Sequence, residues 1–199
     1  MTLSTDEAGL SRGFYILAKV FCIDVCAYAI MSNHYHLVLD INKQALSALD
    51  EDRIAETVTV WRERLGSISW FMKSLNEPLA RLANKVDDCK GRFWKGRFKS
   101  QALLDETSVL KCMAYVELNP IRANVAKTPE TSDHTSIQAR IEGRDCALVS
   151  LSSQSGDTYA IPISKEHYLN LVDWRGRHIQ PDKRSSIQTN LPLILHQLQ

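Results

Sequence analysis

Three features that would each assign this chain to a class are missing from it. No two of its five cysteines stand at Cys-x-x-Cys spacing, and their number is odd. This argues against a disulfide framework or a structural zinc site and leaves reduced thiols as the plain reading. No apolar run is long and clean enough to span a bilayer, because the longest, Phe14 to Met31, is interrupted by Lys19 and Asp24. No small-residue cleavage signal follows it, so neither a membrane span nor a secretory leader is expected, and a cytoplasmic location follows by default. Charge of one sign is missing too, the formal net charge being +1.

What is present becomes informative when the charge is divided along the chain. Lys90, Arg92, Lys95, Arg97 and Lys99 fall within ten residues that hold no acid, and the other 19 basic and 23 acidic residues leave −4. At 199 residues and 44% apolar content the chain suits one domain with an extension around an ordinary core.

Leu10 to Cys22 has apolar residues at helical spacing, with Ser11 as the expected N-cap. Val25 to Met31 and His34 to Ile41 read as two strands joined tightly at Ser32-Asn33. Lys43 to Arg64 is polar, mixed in charge and helical in tendency. The clearer helix is Ser69 to Lys85, where Phe71, Leu75, Leu79, Leu82 and Ala83 repeat on one face and Pro78 is expected to kink or split it. Val86 to Gly91 reads as a loop, and Arg92 to Leu104 as loop and strand. Asp105 or Thr107 caps a helix over Ser108 to Leu118, which Asn119-Pro120 ends. Thr128 to Thr158 has the texture of a loose connection, with one short strand near Ala147 to Leu151. Ile161 to Gln199 carries apolar clusters that suit short helices.

Three constellations carry chemistry. His34 and His36 share one face of a strand, where two imidazoles supply half of a coordination shell for a divalent cation. An isolated His-x-His pair is equally at home as two polar residues on an exposed strand face. Arg92, Phe93, Trp94, Lys95, Arg97, Phe98 and Lys99 alternate cations with rings, matching the phosphates and base faces of a single strand or a distorted duplex. Solvated cations over core aromatics would give the same pattern. Tyr115 and Asn119 are one turn apart on a helix, with Lys111 a turn earlier. A phenol is a poor nucleophile unless a cation or a polarised phosphate assists it.

The strings Met31-Ser32-Asn33-His34-Tyr35-His36-Leu37, Gly91 to Lys99 and Ala114-Tyr115-Val116-Glu117-Leu118-Asn119-Pro120-Ile121-Arg122-Ala123 occur in that order. Together they resemble the IS200-like single-tyrosine transposases of the HUH endonuclease superfamily, in the branch associated with repetitive extragenic palindromes of bacterial genomes. The resemblance spans about residues 10 to 127. It implies an α+β fold with a ferredoxin-like core and an antiparallel sheet, and a helical C-terminal extension. The first strand of that core has no counterpart in the polar Met1 to Gly9. Its neighbours are then expected to carry unpaired backbone groups unless another segment fills the gap. The expected organisation is a shortened transposase-like domain over 1–127, a linker over 128–160 and an extension over 161–199.

The resemblance further implies that His34, His36 and Asn119 ligate Mg²⁺ or Mn²⁺ and that Tyr115 attacks DNA to give a 5′-phosphotyrosine. Arg92, Phe93, Trp94, Lys95, Arg97, Lys99, Lys111 and Arg122 would contact the DNA, single-stranded or hairpin. Glu117 has no catalytic part in this reading. Both monomers and homodimers are compatible with it. Two other functions remain open at this point: a DNA-binding remnant that no longer cleaves, and a metal hydrolase built on the two histidines.

Overall fold

The computed structural model describes residues 7–47, 55–144, 147–153, 159–178 and 185–194. Cys146, most of Met1 to Gly9 and the last five residues of the extension lie outside them. The chain is α+β: α1 (Glu7–Val20), β1 (Ile23–Met31), β2 (His34–Ile41), α2 (Lys43–Ser47), α3 (Ala55–Leu65), α4 (Ile68–Val86), α5 (Glu106–Glu117), α6 (Asn119–Arg122), α7 (Ser136–Ile141) and α8 (Lys165–Arg177). β1 and β2 form a two-stranded antiparallel hairpin, and the described residues show no ferredoxin-like fold. No described helix is long and apolar enough to cross a membrane. Cys22, Cys26, Cys89 and Cys112 are not in disulfides.

The chain divides into two compact units, and the division falls within the hairpin and after Ala102. The first unit comprises Met1–Val25, Ser32–His34 and Leu39–Ala102. Phe14 on α1 is fully buried, as is Phe71 on α4, whose ring meets that of Phe21 edge-on at 5.6 Å. Gly13 brings α1 close to Leu75, since a Cβ there would lie 3.4 Å from Leu75 Cδ1. α4 starts at Ser67, whose hydroxyl accepts from Trp70 N–H, and runs through Pro78 without splitting. The proline costs one i→i−4 bond at the middle of a 19-residue helix, and the packing of Phe71, Met72 and Leu75 holds the turns before it. α1 begins at Glu7, so Ser11 lies within the helix rather than at its start.

The second unit comprises Cys26–Met31, Tyr35–Val38 and Leu103–Gln199. Its core joins Ala27, Ala29 and Val38 of the hairpin to Met113, Ala114 and Val116 of α5 and to Tyr168, Leu169 and Val172 of α8. Asp105 is the cap of α5, its carboxylate accepting from Ser108 N–H at 2.8 Å. α5 ends at Glu117, just before Asn119-Pro120. Leu118 is itself αR and α6 follows at once, because proline's fixed φ and missing N–H suit the first turn of a helix as well as they suit its end.

The open side of β1 is filled, and by the segment that reads as a loose connection. Ile30 N–H donates to His134 C=O at 3.1 Å, Tyr28 N–H donates to Ser136 Oγ at 2.8 Å, and Cys26 C=O accepts from Arg140 Nη2 at 2.8 Å. These three residues alternate along β1, so all of them address the edge away from β2. Among the described residues, Ala29 and Thr135 alone form a β-bridge there. One bridge and two side chains therefore stand where a neighbouring strand would supply a ladder. The segment from Thr128 is ordered accordingly: Thr135 caps α7, and Ser136, Ile137 and Arg140 are buried. The strand expected near Ala147 to Leu151 is reduced to a single parallel bridge between Leu151 and Ile161.

The extension is held by α8. Arg177 Nη1 and Nη2 donate to the carbonyls of Gln188, Leu191 and Pro192 at 2.9–3.1 Å, while Asp173 fixes the guanidinium at 2.6 Å and accepts from Ile194 N–H.

Candidate nucleophile and cation site

β2 begins at His34, so the strand carries both histidines, two residues apart and on one face. His34 is exposed and His36 half-buried. His34 Nδ1 donates to Asn33 Oδ1 at 2.6 Å, which orients the ring. His36 Nε2 lies 3.1 Å from Asn119 Nδ2. An amide nitrogen only donates, so Nε2 is the unprotonated atom. A hydrogen bond thus joins residues 83 apart in sequence that the strand pattern and the tyrosine helix had each nominated separately.

Tyr115 stands on α5 one turn before Asn119, 39% exposed, and Leu118 N–H bonds to Ala114 C=O so that helical geometry carries across the junction. Arg122 is buried and its guanidinium lies 5.5 Å from the centre of the Tyr115 ring. That cation accompanies the phenol rather than projecting into solvent. Lys111 is exposed on α5.

Between Tyr115 and Asn119 sits Glu117, fully buried. Its Oε1 accepts from Ser136 Oγ at 2.6 Å, its Oε2 accepts from Tyr168 OH, and Arg140 Nε lies 3.9 Å away. Burial pushes the carboxyl above the usual carboxylate range, against the pull of Arg140, Ser136 and Tyr168. Burial, followed by the charge of Glu117, pushes the Tyr168 phenol well up. Glu117 is a scaffold residue, then, and the sequence carried no sign of its partners, which come from 19 and 51 residues further on.

The donor set suits a divalent cation within limits. Among the described residues no group of three His, Cys, Asp or Glu side chains converges. Within the second unit, His36 Nε2 and, with its amide turned over, Asn119 Oδ1 would be the protein ligands, one nitrogen and one hard oxygen, while His34 falls in the first unit.

The basic aromatic segment belongs to the first unit. No strand forms there: Arg92 to Leu104 runs without a ladder, because alternation alone gives no β-structure where no other strand is at hand to pair. Two bonds fix it to α4 instead. Trp94 Nε1 donates to Asn76 C=O at 3.0 Å and Asn84 Nδ2 donates to Gly91 C=O at 2.9 Å. Gly91 takes φ 124°, a conformation that side-chain-bearing residues rarely adopt. Phe93 packs edge-on against Trp94 at 4.8 Å, whereas Arg92, Lys95, Arg97, Phe98 and Lys99 are exposed. No family model matches this chain, and neither a curated protein nor a solved structure matches it.

Proposed function

We propose that this chain is a metal-dependent DNA strand transferase of the IS200-like type, with ferredoxin-like ancestry, which cleaves and rejoins single-stranded or hairpin DNA through Tyr115. The observation that carries the reading is the 3.1 Å contact between His36 and Asn119, with Tyr115 one turn upstream on the same helical path. His36 and Asn119, from two distant motifs, meet there, and Tyr115 lies one turn before Asn119.

When bound, a divalent cation would withdraw charge from the scissile phosphate. His36 and Asn119 would hold it. Tyr115 Oη would attack phosphorus and lose its proton to water, forming the Oη–P bond as the P–O3′ bond breaks. The 3′ oxygen leaves and is protonated to a hydroxyl. Because one phosphoester replaces another, a 3′-hydroxyl can reverse the step at a new end without ATP. Arg122, over the Tyr115 ring, holds the phenol's orientation and adds positive potential where the phosphate would sit.

The test is to incubate the protein with single-stranded oligonucleotides carrying inverted repeats in Mg²⁺ or Mn²⁺ and look for a denaturation-resistant adduct. Tyr115→Phe must abolish it, and an adduct that survives this change removes Tyr115 as nucleophile. The absence of a third imidazole or carboxylate among the described residues favours one second reading, a DNA-binding protein that no longer cleaves. Salt-sensitive binding without an adduct would select it.

A further inference from the structure

The first unit carries a second aromatic and cationic surface that the three motifs do not include. Trp70, in the first turn of α4, keeps 38% of its surface exposed, and two cations lie over its ring: Arg64 at 4.6 Å from the centroid and Lys73 at 4.9 Å. Trp61, one turn before Arg64 on α3, is 55% exposed. Two exposed indoles beside two ordered cations are an unusual arrangement on a surface, where tryptophan is ordinarily drawn inward.

Helical phase connects this cluster to the basic segment. At 100° per residue, Trp70, Lys73, Glu77, Arg81 and Asn84 fall within an arc of about 80° on α4, opposite the buried Phe71 and Leu75. Asn84 is one of the two residues that fix the Gly91–Lys99 segment to this helix. The acid on that face, Glu77, is paired with Arg81. The distance along the axis from Trp70 to Asn84 is about 21 Å, the reach of several nucleotides of extended single strand.

We infer that Trp70 is a base-stacking platform that extends a single-stranded DNA track along α4 from the Arg92–Lys99 segment. The incoming base displaces a cation from the ring, since stacking is worth about 5- to 100-fold in affinity against about 2- to 5-fold for an exposed cation–π contact, and Arg64 and Lys73 then contact phosphate. The inference rests on the DNA-binding part of the proposed function and is independent of cleavage. A single strand is the occupant because every base offers a face to an indole and every linkage a phosphate to a cation, whereas a duplex hides its base faces. A purely structural role for Trp70, as a staple between α3 and α4, would leave DNA binding unchanged.

The experiment measures fluorescence anisotropy of a labelled oligodeoxythymidylate of about 12 nucleotides, and of an abasic strand of equal length, across a salt series. Trp70→Ala is expected to weaken binding to the thymidylate about 5- to 100-fold and to leave the abasic strand unaffected, with Trp70→Phe retaining most of the affinity. Arg64→Gln and Lys73→Gln should each flatten the slope of log K against log salt by about 0.7. These two variants and Trp70→Phe decide the matter even where Trp70→Ala fails to fold. Unchanged thymidylate affinity in folded Trp70→Ala, or equal losses on both strands, overturns the platform and leaves the Tyr115 chemistry standing. Failure of the unaltered protein to bind either strand overturns both, while Trp70-dependent binding without an adduct sustains the platform and removes cleavage.

Discussion

Replacing Arg140 by Met exposes how β1 is held. The guanidinium donates to Cys26 C=O at 2.8 Å and to Val149 C=O at 3.3 Å, and lies 3.9 Å from the buried carboxylate of Glu117. Two costs follow. The lost bonds to these two carbonyls are worth about 1–2 kcal/mol at any pH. The larger cost is electrostatic: without its cation the carboxylate must stay charged in an apolar setting, or take up a proton. Proton uptake sets a ceiling, since neutralising a carboxyl of ordinary value 4.5 at pH 7 costs about 3.4 kcal/mol at 1.36 kcal/mol per unit. At pH 5 the same ceiling is about 0.7 kcal/mol. The sign follows from the direction of the shift. Glu117 is raised in the fold, so its protonated form contributes stability that is fully present below the ordinary value of 4.5 and lost as pH rises through the folded value. Arg140→Met raises that folded value further and widens the window over which stability falls. Urea unfolding followed by circular dichroism should therefore show a deficit of up to about 5 kcal/mol at pH 7 that shrinks to about 2–3 kcal/mol at pH 5. Arg140→Met combined with Glu117→Gln should recover about 1–3 kcal/mol at pH 7. A deficit independent of pH, or one left intact by the second substitution, would show that Arg140 and Glu117 are not coupled and would refute the reasoning.

Two further substitutions probe other parts of the fold. Gly176→Ala places a Cβ against Ile187 Cδ1 and 3.0 Å from Leu118 Cδ2, so thermal unfolding should report a loss of about 1–3 kcal/mol from overpacking, and an unchanged midpoint would contradict the close approach of α8. Trp94→Phe keeps a ring but removes the Nε1 donor to Asn76, and faster hydrogen exchange through Gly91–Lys99 with little change in global stability is expected; exchange as slow as in the unaltered protein would mean that this bond does not anchor the segment.

The hairpin was legible because its determinants are local. An apolar run, a two-residue turn at Ser32-Asn33 and a second β-rich run specify β1 and β2 without reference to the rest of the chain. The Asp105 cap and the first turns of the apolar face of α4, Phe71 and Leu75, were legible for the same reason, whereas Leu82 of the expected face is exposed. The cover on β1 was not. Its working residues, His134, Thr135, Ser136 and Arg140, have the composition of a loop, since the groups that satisfy a strand edge singly are polar side chains and one residue at φ 58°. Arg92 to Leu104 misled in the opposite sense, because alternating rings and cations read as a strand when no partner is available to make it one. Of the candidate site, the residue types and their order were readable. The contact between His36 and Asn119 was not, as nothing within either motif encodes the packing that joins them.

That packing is supplied by the residue to which no role was given. Glu117 lies two positions after Tyr115 and two before Asn119, and its hydrogen bond to Ser136 ties the end of α5 to the hydroxyl that accepts from Tyr28 on β1. β1 pairs with β2, and β2 carries His36. The path closes on itself, running from Asn119 through Glu117, Ser136, Tyr28 and the hairpin to His36 and back across 3.1 Å to Asn119. Each link is a backbone ladder or a buried hydrogen bond, so the spacing between imidazole and carboxamide is set by rigid elements rather than by the side chains' own rotamers. Loss of the strand-edge cover would therefore act on the site at a distance. A chain whose β1 edge is capped by Ser136 and Arg140, in place of a neighbouring strand, keeps its candidate ligands in register only as long as that buried cluster stays intact.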